Sequence, residues 1–394
     1  MTRDQTISQG TTERKCEILI LLVGSNPLPN YLTATLLRPN KLVLIHTPET
    51  REPAERLSCV LGNHAEIETR ALAKASDARE IGEAIRRVIS DNDPQQVHLN
   101  YTGGTKIMAA HARMAFRENG GKDQNASYLN DGSRCLFFDD GRLVSLENQS
   151  LLLTLDLVGR LHGCRMLPSS GGAMDGPTEK DACTIAAKVA VDAKLAKVLC
   201  DTAQRFKEQG KSQNALQQPW CPQNVGLTLS ALQVPDAGWG ENEFKAWWRF
   251  LAGGWLESAV AAWIRDATSL SPSQGVYWQL GGRAFEIDVA LVRGHRLYVA
   301  SCTTDNKLGL CKSKLFEVAM RARQLGGDLA RSAVVCLIDG QDSKGRYIDQ
   351  LRGDVASVWE APNKPEVFGL ADLREWTGAA GSPNLDSLER WLDS

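Results

Sequence analysis

The first part of the chain alternates between short apolar runs and longer stretches in which apolar residues recur at helical spacing. In chain order the runs are EILILLV, KLVLIHT, the weaker AEIETRAL, QQVHLNY and ASYLN, and helical spacing occurs at roughly 50–62, 76–90 and 105–118. Buried strands alternating with amphipathic helices are typical of a parallel sheet covered on both faces. SRCLFFDDGRLVSL then predicts a hairpin that turns at Asp-Asp-Gly. We therefore expect residues 16–160 to form a Rossmann-like domain with an appended hairpin.

The remainder of the chain shows a different order of elements. Residues 161–240 combine a strongly helical stretch with irregular segments rich in Gly, Pro and Ser, which predicts a helical connector with loops. Residues 241–394 predict a helix interrupted at Gly253-Gly254, three strands, a second helix and a further strand, as in a small α/β domain with a mixed sheet. Residues 1–15 are polar and are expected to be disordered.

Composition supports this division and excludes several classes of protein. All ten tryptophans lie at or after Trp220, a shift expected of two separate domains. The ten cysteines are scattered without Cys-x-x-Cys spacing, which suits a reducing compartment and argues against a zinc site. The net charge of −2 argues against a surface wholly devoted to nucleic acid. The polar start is no signal peptide, and ILILLVG is too short to cross a bilayer, so we expect a cytoplasmic protein without membrane contact.

Two loops follow predicted strands of the first domain, GSNPLPNY at residues 24–31 and TGGTK at residues 102–106. Ligands of open α/β sheets bind beyond the carboxyl ends of the strands. Glycines allow a ligand to approach the backbone, and the amides of a helix start together with Lys106 attract phosphate. The alternative interpretation is a tight turn in which Thr105 caps the next helix. Neither a Walker A motif nor G-x-G-x-x-G is present, which argues against ordinary nucleotide triphosphatases and dehydrogenases.

The stretch NYTGGTKIMAAHA after a parallel strand resembles the signature of CARF domains, the Rossmann-like sensors of cyclic oligoadenylates in CRISPR defence. The resemblance implies a homodimer that binds a cyclic oligoadenylate, expected to be cyclic tetraadenylate, across its two-fold axis. A two-fold pair of helix starts and lysines would present each phosphate donor twice. The residues implied in ligand binding are Ser25, Asn26, Thr102, Gly103, Gly104, Thr105 and Lys106.

The stretch FEIDVALVRGHRLYVASCTTDNK in the second domain resembles the core of PD-(D/E)xK nucleases, a restriction-endonuclease-like α/β fold. Glu286 and Asp288 lie two apart and share one face of a strand. The resemblance implies that Asp288 and Glu257, from the preceding helix, bind Mg²⁺ or Mn²⁺, which prefer oxygen ligands. Such a metal activates a bound water and stabilises charge on the phosphate.

The chain departs from this pattern where the family has Glu-x-Lys, because Ser301-Cys302-Thr303 occupies those positions. Lys307 is one replacement for the missing lysine, although four residues of strand would displace it by roughly 13 Å from Thr303. Lys312 or Lys314, at the start of the next helix, is the alternative. The expected catalytic residues are Glu257, Glu286, Asp288, Ser301 and Lys307.

Several conspicuous residues have structural interpretations instead. The tryptophans at 247, 248, 255 and 263 recur at helical spacing and are expected in the core. His111 and His295 have no partner at metal-ligand spacing.

The favoured hypothesis is a metal-dependent nuclease of type III CRISPR antiviral defence, switched on by a cyclic oligoadenylate and cleaving RNA, DNA or both. One alternative is a sensor whose nuclease core has lost activity, for which Thr303 is the main support. A ring nuclease that degrades its own cyclic ligand is the other alternative, and it is compatible with either.

Overall fold

The computed structural model describes residues 16–130, 132–147, 153–167, 177–209, 241–339, 347–359 and 363–394. The predicted disorder of residues 1–15 and parts of the predicted connector, residues 168–176 and 210–240, lie outside this range. The chain forms two compact units. The first extends to Leu153 and includes Arg160–Gly163, and the second comprises Thr154–Gly159 and everything from Cys164 onward.

The first unit contains a seven-stranded sheet in the order β3-β2-β1-β4-β5-β6-β7. The first five strands are mutually parallel, whereas β6 and β7 form an antiparallel extension at one edge. This arrangement confirms the predicted Rossmann-like domain with an appended hairpin. Its strands are β1 (Ile18–Leu22), β2 (Lys41–His46), β3 (Glu66–Ala71), β4 (Val97–Asn100), β5 (Ala126–Asn130), β6 (Cys135–Phe138) and β7 (Leu143–Ser145).

Among its described residues, the first unit contains four complete α-helices, whose starts and buried faces follow from the sequence. They are α1 (Leu28–Leu37), α2 (Arg51–Leu61), α3 (Ala78–Ser90) and α4 (Lys106–Glu118). The predicted helices at 50–62, 76–90 and 105–118 are confirmed. The side chain of Asp77 caps α3 by accepting from two backbone amides, and α3 buries Ile81 and Ile85 at helical spacing.

The start of α1 differs from the sequence interpretation, which treated residues 24–31 as a loop. The helix begins at Leu28 in spite of the prolines at 27 and 29. Proline is tolerated in the first turn of a helix because the amides there have no partner within the helix. The loop after β1 is therefore short, and it leads directly into a helix start.

The second unit contains a six-stranded mixed sheet in the order β13-β12-β11-β10-β9-β8. β11, β12 and β13 are parallel, whereas β8, β9 and β10 pair in antiparallel fashion and β10 is antiparallel to β11. The strands predicted between residues 276 and 338 are confirmed. The strands are β8 (Arg165–Met166), β9 (Ser273–Leu280), β10 (Arg283–Arg293), β11 (Arg296–Cys302), β12 (Arg331–Val335) and β13 (Glu366–Phe368).

Helices pack around this sheet and enclose most of the tryptophans. Trp247, Trp255 and Trp263 are buried in one large apolar cluster and Trp248 packs against it, which confirms their predicted core role. The helices of the second unit are α6 (Glu179–Val191), α7 (Lys194–Gln209), α8 (Glu241–Arg249), α9 (Trp255–Thr268), α10 (Leu308–Gly326), α11 (Tyr347–Val358), α12 (Leu370–Thr377) and α13 (Asp386–Asp393). The short helix α5 (Leu155–Leu161) precedes them, and its last two residues belong to the first unit.

Two local features refine the predictions for the helices. A π-helical turn at Phe250–Gly254 separates α8 from α9, with Gly253 at φ 155°, so the predicted interruption is confirmed. The single helix expected at residues 184–210 is two helices, because Asp192 adopts an extended conformation after α6. The first of them, α6, already begins at Glu179, within the segment expected to be a loop. The domain boundaries proposed at residues 160 and 240 stay predictions. Within the described ranges, no helix is long and apolar enough to cross a membrane.

Candidate functional sites

The loops after β1 and β4 meet at one edge of the first sheet. The two strands are parallel neighbours, with Ile18 opposite Val97 and Leu21 opposite Asn100. Their carboxyl ends therefore lie side by side, and each loop leads into a helix, α1 or α4. This is the position at which open α/β sheets bind ligands.

Glycines are required where these loops touch. A Cβ atom on Gly103 would lie 2.0 Å from the carbonyl oxygen of Leu22, and a Cβ atom on Gly24 would lie 3.0 Å from the amide nitrogen of Gly104. Gly104 has φ +74°, a left-handed conformation that favours glycine. The two loops thus pack backbone against backbone, which side chains at these positions would prevent.

The two threonines of the loop have structural partners. The Thr105 hydroxyl accepts from the amide of Met108 at 3.2 Å, so the predicted helix cap is confirmed. The Thr102 hydroxyl accepts from the amide of Leu129 at 2.7 Å and ties the loop to β5. Each hydroxyl keeps a proton to donate, so these bonds do not exclude contact with a ligand. A ligand role for either threonine stays a prediction.

The start of α4 is positive and open. Lys106 is the first residue of the helix and is exposed. It forms no ion pair with any residue that the structure describes, and the first turn of α4 contains no acidic residue. Unpaired amides at a helix start and an adjacent free ammonium group together favour an anion. Ser25, in the neighbouring loop, is also exposed.

Asn26 is held by two donors. Its Oδ1 atom accepts from the amide of Leu28 at 3.1 Å. The same oxygen lies 3.1 Å from Nε2 of His162, which must donate because an amide oxygen only accepts. His162 was not predicted from the sequence, since GRLHGC belongs to no motif and lies far from residue 26 in the chain.

In the second unit, Asp288 of β10 is bonded to the end of β11. Its Oδ2 atom accepts from the Ser301 hydroxyl at 2.9 Å and from the amide of Cys302 at 2.7 Å. Burial raises the pKa of Asp288, and these two bonds together with the positive charge of Lys314 oppose that effect. Ser301 occupies the position at which the nuclease pattern has a second acid, and here its hydroxyl orients the carboxylate of Asp288.

Glu257 lies in the first turn of α9, close to Asp288. Burial is the main cause that raises its pKa to about 8, and the negative charges of Asp288 and Glu286 add to the effect. Lys314 acts in the opposite direction. Three of the predicted residues, Glu257, Glu286 and Asp288, are thus brought into one electrostatic neighbourhood from two different elements.

Glu286 lies at the exposed rim of this neighbourhood. It is on the same face of β10 as Asp288, and its carboxylate accepts a hydrogen bond from Tyr277, which raises the pKa of that phenol. Glu286 is exposed, in contrast to the other two carboxylates. Its place suits contact with solvent or substrate more than a role in holding an ion.

The three candidate lysines occupy different surroundings. Lys307 is exposed and immediately precedes α10, and it is absent from the charges that act on Glu257 and Asp288. Lys312 forms an ion pair with Asp354 of α11 at 2.8 Å. The positive charge of Lys314 opposes the rise in the pKa of both Glu257 and Asp288. Of the three lysines, only Lys314 is thus found to act on both carboxylates.

The Glu257–Asp288 pair fits a divalent cation, although a full cage of protein ligands is absent. Within the described part of the chain, no group of three or more His, Cys, Asp and Glu residues is arranged to hold a metal. Mg²⁺ commonly uses only one or two carboxylates and keeps several waters. These two half-buried carboxylates have raised pKa values that the charge of Lys314 offsets only in part, and a cation between them would add the missing compensation.

Comparison with known families assigns the first unit. Residues 18–134 match the family model of the Card1 CARF domain. The first unit carries a CARF domain. The matched range contains β1, β4 and both glycine-containing loops of the site. A search of curated proteins finds no matching sequence.

Solved structures extend the likeness to the whole chain. Can2 from Sulfobacillus thermosulfidooxidans, solved in complex with cyclic tetra-adenylate, is similar with a TM-score of 0.69 and 18% identity, over 96% of this chain and 98% of that one. Protein VC1899 from Vibrio cholerae has a TM-score of 0.68 and 18% identity, over 94% and 100%. A type III CRISPR defence DNA nuclease activated by cyclic oligoadenylate has a TM-score of 0.52 and 18% identity, over 88% of this chain and 52% of that one. At this identity the likeness establishes the shared fold, including the second unit beyond the CARF domain.

Proposed function

We propose that the protein is a metal-dependent nuclease of type III CRISPR antiviral defence that a cyclic oligoadenylate activates. The observation that carries the proposal is the fold shared with Can2 over 96% of the chain, in a protein whose first unit is a CARF domain. Can2 was solved with cyclic tetra-adenylate, and we propose this ring as the activator here. Action in the cytoplasm is part of the same proposal.

The proposed ligand site is the pair of loops at the carboxyl ends of β1 and β4. The α4 amides and Lys106 would bind phosphate oxygens, while Gly103 and Gly104 allow the two loops to pack closely beside this helix start. Ser25, Asn26, Thr102 and Thr105 would supply further hydrogen bonds. Replacing Lys106 by alanine is expected to weaken ligand binding at least ten-fold, because a charge-assisted bond is lost in each copy. Titration calorimetry that finds unchanged affinity would remove Lys106 from the site.

A homodimer is proposed because α4 exposes apolar side chains beside its ligand-binding start. Ile107 and Met114 are 46% and 52% exposed, and seven residues of separation place them on the same face of the helix. An exposed apolar stripe next to a charged helix start suits an interface between two copies. The two-fold axis of such a dimer would place two copies of Lys106 around one cyclic ligand.

The proposed catalytic centre is the neighbourhood of Asp288. Glu257 and Asp288 would hold Mg²⁺ or Mn²⁺, which in such sites lowers the pKa of a bound water and stabilises charge on the phosphate. Ser301 positions Asp288 through its hydrogen bond of 2.9 Å. We propose Lys314, in place of Lys307, as the amine that stabilises negative charge developing on the phosphate. Glu286, at the rim, would contact the substrate or its water shell.

Cleavage assays test this proposal directly. Supercoiled plasmid, single-stranded DNA and RNA are incubated with Mn²⁺, with and without cyclic tetra-adenylate, beside the Asp288→Ala variant. The expected result is cleavage of one or more of these substrates that requires both metal and ligand and is lost in the variant, while ligand binding is retained. Cleavage by Asp288→Ala would refute the catalytic assignment.

A sensor without nuclease activity is the second candidate, and one observation favours it. Thr303 stands where the nuclease pattern has lysine. Its amide donates to the carbonyl oxygen of Val335, and its hydroxyl accepts from the amide of Asp305. Tight ligand binding without cleavage of any of the three substrates would support the sensor. Loss of intact ligand on long incubation with excess protein would identify a ring nuclease, which is compatible with either candidate.

A further inference from the structure

Four residues, Arg160–Gly163, belong to the first unit although the residues on both sides of them belong to the second. The chain thus leaves the second unit near the end of α5, contacts the CARF domain and returns at Cys164. Strand β8 begins at the very next residue, Arg165. This segment is the last direct covalent link from the CARF domain into the second sheet.

Two hydrogen bonds anchor the segment in the CARF domain, and one of its side chains is buried. The Leu161 side chain is fully buried, and its carbonyl oxygen accepts from Nε of Arg56 in α2 at 2.8 Å. His162 donates to Asn26 at 3.1 Å. A buried apolar side chain and two hydrogen bonds hold these residues in one place, so the segment is a defined part of the first unit.

The contact between His162 and Asn26 fixes which end of the amide faces the ligand site. An amide oxygen has two acceptor positions, and both positions on Asn26 are taken, by the amide of Leu28 and by His162. The Nδ2 group of Asn26 donates to none of the residues that the structure describes. The side chain thus presents its NH₂ group, a donor suited to the phosphate or base acceptors of a nucleotide.

We propose that His162 is a positioning residue of the ligand site and that Arg160–Gly163 couples occupancy of that site to β8. This inference rests on the proposed function. A ligand that binds the Asn26 amide acts on His162, and any displacement of His162 is transmitted through Gly163 and Cys164 to β8. β8 pairs with β9, where Arg165 also donates to Gln279 at 2.7 Å, and β9 pairs with β10.

The coupling connects the ligand site of the first unit with the catalytic centre in the second sheet. β10 carries Asp288. A displacement of β8 on ligand binding can therefore reach the catalytic centre through the pairing of β8 with β9 and of β9 with β10. A ligand can shift such an equilibrium only by as much as it favours one arrangement over the other. A ligand that holds the Asn26 amide favours the arrangement in which His162 is bonded to that amide.

The first experiment separates positioning from mere packing. Cyclic tetra-adenylate binding is measured by calorimetry for the full-length protein and for His162→Ala, His162→Gln and His64→Ala. Losing one neutral hydrogen bond weakens binding about five-fold per site, or about 25-fold for a ligand that contacts two copies. Glutamine, whose amide can donate at a similar reach, is expected to restore most of the affinity. His64 is exposed and outside the site, so its variant should bind like the wild type. Unchanged affinity in His162→Ala, or a loss that glutamine does not restore, would overturn the positioning role.

The second experiment tests the coupling without requiring catalysis. Three glycines are inserted between Gly163 and Cys164, and hydrogen exchange of β8 and β9 is followed with and without cyclic tetra-adenylate. The wild type should change its protection in these strands on ligand addition, whereas the insertion variant should still bind the ligand and show no such change. The same ligand-dependent change in both proteins would overturn the coupling.

Failure of the proposed function is distinguishable from failure of this inference. If the wild type binds no cyclic oligoadenylate, the ligand assignment is wrong. Hydrogen exchange of the Leu28 amide, measured without ligand, still tests whether His162 holds Asn26 in place. That amide should exchange faster in His162→Ala than in His64→Ala, because Asn26 then loses one of its two restraints. Equal exchange rates of the Leu28 amide in the two variants would refute the role of His162 in holding Asn26.

Discussion

Replacing Glu257 by glutamine should change the stability of the second unit in opposite directions with and without metal. Burial raises the pKa of Glu257 from 4.5 to about 8, so between these values the folded protein holds a proton that the unfolded chain has lost. Stability therefore falls as pH rises from about 4.5 to about 8 and stays reduced above that range. Glutamine cannot ionise, and it removes this dependence.

The size of the effect follows from the same values. At about 1.36 kcal/mol per pH unit, the difference between 4.5 and about 8 corresponds to about 5 kcal/mol. The site is partly open to water, which reduces the expected effect to about 2 kcal/mol. Glu257→Gln in excess EDTA should thus be about 2 kcal/mol more stable than the wild type at pH 9, and close to it at pH 5.

Mn²⁺ should reverse this order at pH 8. A metal at 100 times its dissociation constant stabilises the folded wild type by about 2.7 kcal/mol, and the variant has lost one of the two carboxylates that would bind it. Urea denaturation followed by tryptophan fluorescence is the appropriate assay. All ten tryptophans lie at or after Trp220, so the signal reports the second unit alone.

A matched control strengthens the test. Glu286→Gln removes a neighbouring carboxylate that is exposed, and it should change stability by less than about 0.5 kcal/mol at either pH. The reasoning would be refuted if the difference between Glu257→Gln and the wild type were the same at pH 5 and pH 9. It would also be refuted if Mn²⁺ stabilised Glu257→Gln as much as the wild type.

Three further predictions concern the lysine, the interface and the loop. In a plasmid-nicking time course, Lys314→Ala should lower ligand-activated cleavage at least 100-fold, while Lys307→Ala should stay within about three-fold of the wild type. The reverse order would assign the catalytic amine to Lys307. Met114→Asp should convert the proposed dimer to a monomer in light scattering after size exclusion, and a dimer of unchanged mass would place the interface elsewhere. Gly103→Ala should destabilise the CARF domain by about 3 kcal/mol or more, because its Cβ atom would lie 2.0 Å from a backbone carbonyl oxygen; circular dichroism during thermal unfolding measures this, and an unchanged first transition would contradict the loop geometry.

Local pattern was sufficient for much of the fold and for part of the sites. Apolar runs of five to eight residues alternating with helical spacing predicted the parallel sheet, because side-chain periodicity directly reports which faces are buried. The loops after β1 and β4 were identifiable because the residues that follow a parallel strand always lie at the ligand-binding edge. Asp288 stood out because an acid within an apolar strand needs a partner, and Ser301 and Cys302 are that partner.

The start of α1 and the break at Asp192 were harder to predict from the sequence pattern, because local composition and periodicity fit more than one structure at each position. Prolines at 27 and 29 are common in loops and also fit the first turn of a helix, so composition does not decide between them. Asp192 interrupts a periodicity that continues on both sides of it. Local propensity is weak compared with the packing that chooses between such alternatives.

Only the tertiary structure decided which distant residues share a site. The choice among Lys307, Lys312 and Lys314 depends on how the chain leaves β11, where the amide of Thr303 bonds to Val335 and Lys312 is drawn to α11. The raised pKa of Glu257 depends on burial against residues of another element. The contact of His162 with Asn26 joins positions 136 residues apart. Sequence periodicity carries information about the direction in which a side chain points along its own element, whereas these contacts arise from chain reversals that the periodicity does not encode.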